Sequence, residues 1–167
     1  MNITIISIII IIIILSVILY INYDYSSKYK KGEKDLYYEA LDLLIMGKSK
    51  EAYSTLLALI KNDTNNIKAY LKLGQVQREM GFPDKALKVH RGLLIRKDLT
   101  LYETIELFKN IALDFKHIKK INESISQCLK ILKIEKNNEW ALLELIDLYK
   151  SIDDWNSSKQ YLQIYQK

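Results

Sequence analysis

Few residues in this 167-residue chain are of the types that do covalent chemistry. The histidines are His90 and His117, the one cysteine is Cys128, and the nearest approach to a carboxylate pair is Asp153–Asp154. A hydrolytic triad needs a nucleophile, a base and an orienting acid, and a structural zinc site needs about four Cys or His ligands. Neither set emerges from the spacing. His90 lies on the inward face of a helical apolar pattern and reads as a core histidine with its polar atoms satisfied. His117 reads as a solvated surface residue, and Cys128 as a small buried hydrophobe that cannot form an intramolecular disulfide. Asp153–Asp154 falls in an expected turn. Five scattered glycines leave no phosphate-cradling loop. No catalytic residue, cofactor or metal ligand is therefore expected. The net charge of +5 is mild, and no basic patch of the kind that nucleic acid requires is gathered.

The elements that must position any binding surface follow from an internal period. Gly47 and Gly81 are 34 residues apart, as are Ala52 and Ala86, Ala40 and Gly74, and Leu59 and Leu93. With Glu33 as position 1, a small residue falls at position 8, Gly at 15, Ala at 20, and apolar or aromatic residues at 24 and 27. Those are the positions of the tetratricopeptide repeat, in which two antiparallel helices pack through the small residues. The repeats run 33–66, 67–100, 105–138 and 139–167, with Leu101–Thr104 as a four-residue insertion. Tyr70, Leu73, Gly74 and Gln77 share one helix face in the second repeat, and Ala86, Val89, His90 and Leu93 another. Gly81 and Pro83 end one helix and start the next, while Asn65–Asn66 and Asn137–Asn138 supply turns.

Ahead of the repeats, Ile3 to Ile21 holds no charge and fifteen Ile, Leu and Val. Nineteen helical residues cover roughly 28 Å, about the hydrocarbon thickness of a bilayer. A cleaved signal peptide is the competing reading, but a charged n-region and a small-residue cleavage site are missing. The expected fold is thus all-α: residues 1–22 as a single transmembrane helix, 23–32 as a juxtamembrane linker, and 33–167 as a right-handed solenoid of about four repeats. Lys28, Lys30, Lys31 and Lys34 follow the span, which predicts the N-terminus outside and the repeats in the cytoplasm. Leu162, Ile164 and Tyr165 are expected to leave an apolar flank for a partner, or for a further part of a longer protein, to cover.

In tetratricopeptide arrays the concave face is lined by positions 2, 5, 9, 12 and 13 of each first helix. Those positions place Tyr37, Leu41, Leu44 and Ile45 near the membrane, then Lys68, Leu71, Gln75, Arg78 and Glu79 in the second repeat. Lys109, Leu113, Lys116 and His117 follow in the third, with Trp140, Leu143, Asp147 and Lys150 in the fourth. The candidate partner groove is accordingly Lys68, Leu71, Gln75, Arg78, Lys109, Leu113, Lys116, Trp140 and Lys150. It reads either as a solvated charged face or as a site for an extended peptide bearing carboxylates, with Lys68, Arg78, Lys109 and Lys116 as converging positive charge.

The stretch Asp84-Lys-Ala-Leu-Lys-Val-His90-Arg-Gly-Leu-Leu94, with Leu99-Thr-Leu-Tyr-Glu103, resembles the lipopolysaccharide assembly protein B family of Gram-negative bacteria. Leu71–Gly81 and Leu143–Trp155 are similar to that family's repeats, and the likeness extends over the anchor. The resemblance implies an inner-membrane cytoplasmic adaptor that acts with a membrane-bound ATP-dependent protease. Through it, such an adaptor controls turnover of the lipid A deacetylase and so regulates lipopolysaccharide biosynthesis. Family members carry more repeats and a C-terminal rubredoxin-like metal domain with Cys-x-x-Cys pairs, which Cys128 alone does not match. The resemblance therefore covers the N-terminal part of such a protein. An alternative is an envelope-assembly or chaperone-like protein with its repeats on the extracytoplasmic side.

Overall fold

The computed structural model describes residues 3–166, with side chains for 8–23, 32 and 34–166. Among these residues the chain forms eight helices and no strand: α1 (Ile3–Ile45), α2 (Ser49–Asn62), α3 (Ile67–Glu79), α4 (Pro83–Leu93), α5 (Leu101–His117), α6 (Ile121–Ile134), α7 (Glu139–Ser151) and α8 (Trp155–Tyr165). Each helix packs on the next, and α3 also touches α5, so the pairs stack in chain order. This nearest-neighbour arrangement is the way repeats that cannot bury an apolar face alone build one continuous core.

Position 15 is what turns each first helix into its second. Gly47, Gly81, Lys119 and Asp153 all adopt left-handed φ, at 74°, 87°, 62° and 60°. At each, the amide at position 15 donates to the carbonyl three residues back, and the next amide donates five residues back, as in Lys48 N to Leu43 O at 2.8 Å and Lys120 N to Phe115 O at 2.9 Å. That double closure is the Schellman arrangement. Glycine enters this conformation freely, whereas Lys119 and Asp153 carry a Cβ there at a cost. The opposite ends are capped by side chains: Asn66 accepts from Ala69 N and Asn138 from Ala141 N, both at 3.0 Å. Asp154 accepts from Ser157 N at 3.1 Å and from its hydroxyl at 2.7 Å, and these bonds lower its pKa.

Within each pair the small residues do the packing. Ala40 against Ala52 and Ala112 against Ser124 are fully buried, and the Ser124 hydroxyl donates to Ala112 O at 2.8 Å. Ser158 repeats that bond to Ile146 O at 3.1 Å, which ties α8 to α7 despite the bulk of Ile146. Cys128 is buried among Ala112, Ile125, Leu145 and Leu148, and burial pushes its thiol up to about 12.

Two features add to the sequence reading. The insertion Leu101–Thr104 forms an added helical turn, since four residues are close to the 3.6 of one turn. Thr100 and Glu103 form a reciprocal capping box that starts it, so α5 has 17 residues where α3 and α7 have 13. The expected linker over 23–32 is likewise helical, because α1 continues unbroken from Ile3 to Ile45. As for the expected transmembrane helix, among the described residues no helix is long and apolar enough to cross a membrane. The first residues of that stretch, Ile3–Ser7, are among those whose side chains lie outside the described set.

The strained turns give a test. Lys119→Gly and Asp153→Gly should each stabilise the repeats by about 0.5–1 kcal/mol, because only glycine reaches left-handed φ without a Cβ penalty. Urea unfolding followed by circular dichroism reads this directly. A loss of stability in both variants would contradict the assigned turn conformation. The thiol of Cys128 should also alkylate at least a hundredfold more slowly at pH 8 in the folded chain than in urea, since only about 10⁻⁴ of it would be thiolate.

Candidate functional site

The polar cluster buried deepest in the stack links the second and third repeats. Asp114 on α5 is fully buried. One carboxylate oxygen accepts from Arg78 Nη1 on α3 at 2.6 Å, and the other lies 2.5 Å from His90 Nδ1 on α4. His90 Nε2 lies 3.1 Å from Leu71 O, so both ring nitrogens face oxygen acceptors. Arg78 also donates to the backbone and side-chain oxygens of Asn110, each at 3.3 Å. The ring of His90 lies against Gly74, and a Cβ at position 74 would collide with the imidazole. The small residue at position 8 thus makes room for the histidine at position 24.

This arrangement satisfies the reading of His90 as a partnered core residue, but it removes Arg78 from the groove. Arg78 is 7% exposed and its charge is spent on Asp114. A charge reversal there is a folding mutation and not a surface one. Sequence reasoning missed Asp114 because its partners lie 24 and 36 residues away, in another repeat. Only an acidic residue on a helix face otherwise filled by Leu107, Ile111 and Ala112 hinted at it.

The other expected groove cations are largely neutralised as well. Lys109 Nζ lies 2.9 Å from Glu106 and stacks 5.7 Å above the ring of Trp140. Lys116 Nζ lies 2.6 Å from Glu144 and ties α5 to α7. Trp140 packs against the core around Ile105, Ile131 and Ala141, and Leu71 packs in the core with Leu87, Leu93 and Leu107. Leu113 is half-buried and Lys150 exposed. His117 is exposed, with Nδ1 2.8 Å from Leu113 O. Of the four cations expected to converge, Lys68, Arg78, Lys109 and Lys116, the last three are thus paired with acids.

What remains open is a cleft of about 330 Å³ between the first helices of three repeats. Lys68, Leu71, Lys72 and Gln75 of α3 form its floor, Tyr37 of α1 one wall, and Tyr102 with Glu106 and Asn110 of α5 the other. Lys68, Leu71 and Gln75 were expected here; Lys72 and Tyr102 were not. Tyr102 reaches the cleft because it sits on the added turn of α5. Burial raises the pKa of the Tyr37 phenol, and the nearby Tyr102 and Tyr38 phenols raise it further. Lys72 donates to Gln75 Oε1 at 2.8 Å, a neutral partner, and among the described residues neither Lys68 nor Lys72 forms an ion pair. The cleft therefore sets two lysines that form no ion pair among the described residues between the aromatic walls of Tyr37 and Tyr102. Among the described residues no group of three or more His, Cys, Asp or Glu is placed to hold a metal ion.

Comparison with known proteins agrees with the fold. No family model matches the chain. Lipopolysaccharide assembly protein B of Escherichia coli K12 is 20% identical over 122 residues, which is 73% of this chain and 31% of that protein. The same protein from Escherichia coli O157:H7 matches equally. The chain thus spans about a third of the length of the curated relatives it matches. Among solved structures, a tetratricopeptide repeat protein from Parabacteroides merdae ATCC 43184 aligns with a TM-score of 0.68 and 18% identity, over 82% of this chain and 55% of that one. MamA of Desulfovibrio magneticus RS-1 gives 0.69 and 14%, over 80% and 73%. The fold is that of tetratricopeptide proteins.

The buried network makes a sharp energetic prediction. Asp114→Ala should cost about 3–5 kcal/mol, because it strands Arg78 and the buried His90 without their shared acceptor. Combining Arg78→Met, His90→Phe and Asp114→Leu should recover most of that loss, since apolar groups of similar volume need no partner. Urea unfolding of both variants checks it; a triple variant as unstable as Asp114→Ala would show that packing, not the orphaned charge, sets the cost.

Proposed function

We propose that this lipopolysaccharide assembly protein B-like tetratricopeptide protein is a membrane-anchored adaptor that holds protein partners on its concave face. The observation that carries the reading is the continuity of α1. One end of that helix supplies Tyr37 to the cleft. The other end is Ile-rich, and its large apolar side chains from Ile8 to Tyr23 are between 48% and 74% exposed. Fifteen Ile, Leu and Val in Ile3–Ile21 would contribute about −0.3 to −0.6 kcal/mol each near a bilayer centre, enough to favour insertion. In this reading residues 1–22 are the anchor, and the repeats 33–66, 67–100, 105–138 and 139–167 form the binding domain. The lysines after the span favour an N-terminus outside and repeats in the cytoplasm of a bacterial inner membrane.

By resemblance, the partners are a membrane-bound ATP-dependent protease and the lipid A deacetylase, and the role is non-catalytic regulation of lipopolysaccharide biosynthesis. The family likeness supports this specific assignment, and the cleft supports protein binding in general.

Fusion of a reporter that fluoresces only in the cytoplasm to Lys167 should give a bright signal that stays with the membrane after alkaline carbonate washing. A dark, membrane-bound fusion would favour an envelope-assembly role with extracytoplasmic repeats, and a washed-off fusion would refute the anchor. Deletion of the gene in its native host should change deacetylase abundance; unchanged deacetylase and lipopolysaccharide would refute the specific role.

A further inference from the structure

We propose that the cleft between α1, α3 and α5 binds an extended acidic segment of a partner protein, with two Glu side chains separated by one intervening residue seated on Lys68 and Lys72 and flanked by Tyr37 and Tyr102. This deepens the adaptor reading and rests on it only for the idea that the ligand is a protein. Charge complementarity selects the ligand. Elsewhere on the concave face Lys109 is paired with Glu106 and Lys116 with Glu144, and the exposed Lys150 does not line this cleft. Lys68 and Lys72 have no acid partner among the described residues, although Lys68 is exposed and Lys72 half-buried. Glu106 also faces this cleft, but its carboxylate is held by Lys109.

Placement of Lys68 adds to the case. It stands in the first turn of α3, which contains no acidic residue. A cation there opposes the positive end of the helix dipole, while an anion brought to the same place is favoured by both the dipole and the lysines. Spacing then chooses the form of the anion. Residues four apart on a helix are separated by about 6 Å along its axis. Alternate residues of an extended chain point to one side and repeat at about 6.6 Å. Two carboxylates in a Glu-x-Glu segment therefore match the two ammonium groups, whereas adjacent Glu residues point to opposite sides. The tyrosine rings on either wall would pack against the methylene groups, which favours Glu over the shorter Asp. Tyr102 owes its place to the extra turn of α5, so the site depends on the Leu101–Thr104 insertion.

The test uses the full chain in non-ionic detergent and rhodamine-labelled ten-residue peptides read by fluorescence anisotropy at low salt. One peptide carries Glu-Ser-Glu in a Gly/Ser background, a second the same two Glu residues adjacent, and a third Gln-Ser-Gln. The spaced peptide should bind at least fivefold more tightly than its adjacent isomer of equal charge, and at least tenfold more tightly than the Gln peptide. Lys68→Gln with Lys72→Gln should abolish both preferences while leaving the melting temperature unchanged, and Tyr102→Ala should reduce the preference for Glu over Asp. Equal binding of the spaced and adjacent peptides would overturn the site as a matched pair. Preferences that persist in the double lysine variant would place it elsewhere, and no peptide binding at all would also overturn it. None of these results touches the anchor or the reporter experiment, so failure here and failure of the adaptor reading are distinguishable.

Discussion

The stack depends on a carboxylate that water never reaches. Asp114 has its two oxygens committed to two different helices of the preceding repeat, Arg78 on α3 and His90 on α4. An ionised group so enclosed is tolerable only when its partners are fixed, so the second and third repeats cannot shift against each other without exposing an unpaired charge to an apolar interior. The apolar residues around it, Leu71, Leu87, Leu107 and Ile111, would pack almost as well in a slipped register. The polar contacts would not. Gly74 completes the constraint, because its missing side chain is the space that the imidazole fills.

That same commitment shapes the concave surface. Arg78, directed inward, stiffens the wall through Asn110, and Leu71, whose carbonyl faces His90, sits on the cleft floor. The half of the face between α5 and α7 carries the Lys116–Glu144 ion pair and Lys109 over Trp140. The half between α1 and α5 keeps its lysines uncompensated. Of the basic residues that register places on this face, Arg78, Lys109 and Lys116 are in three dimensions paired with acids, whereas Lys68 forms no such pair among the described residues.

The repeat architecture was legible in the sequence because its signals are local. Gly at position 15, small residues at 8 and 20, and Asn before the first helices each act within a turn or two of where they stand. Position 15 even retains its left-handed φ in the third and fourth repeats, where Lys119 and Asp153 replace the glycine and the local signal is lost. The candidate site was only partly legible. Lys68, Leu71 and Gln75 could be placed from register alone. Arg78 could not, since its burial is decided by Asp114, 36 residues away and displaced by the insertion. The insertion itself was readable as an offset of four residues but not as a helical turn, although the Thr100–Glu103 capping box was there to be found. The helical state of the linker was not legible either: its mixture of Lys, Tyr and Ser is compatible with a helix once both neighbours are helical.

Helical continuity through residues 23–32 sets a standoff. A flexible ten-residue tether would let the repeats wander over distances of about 17 Å and through every orientation. A rigid rod instead fixes both height and azimuth: from Ile21 to Tyr37 the helix rises about 24 Å, and each residue advances the direction of the cleft by about 100°. For a chain seated in a bilayer by its Ile-rich end, the cleft would face one bearing at one distance from the lipid. Adding a single residue to that rod would barely lengthen it, yet would swing the cleft by more than a quarter turn. In that setting the helix would work as a protractor more than as a spacer.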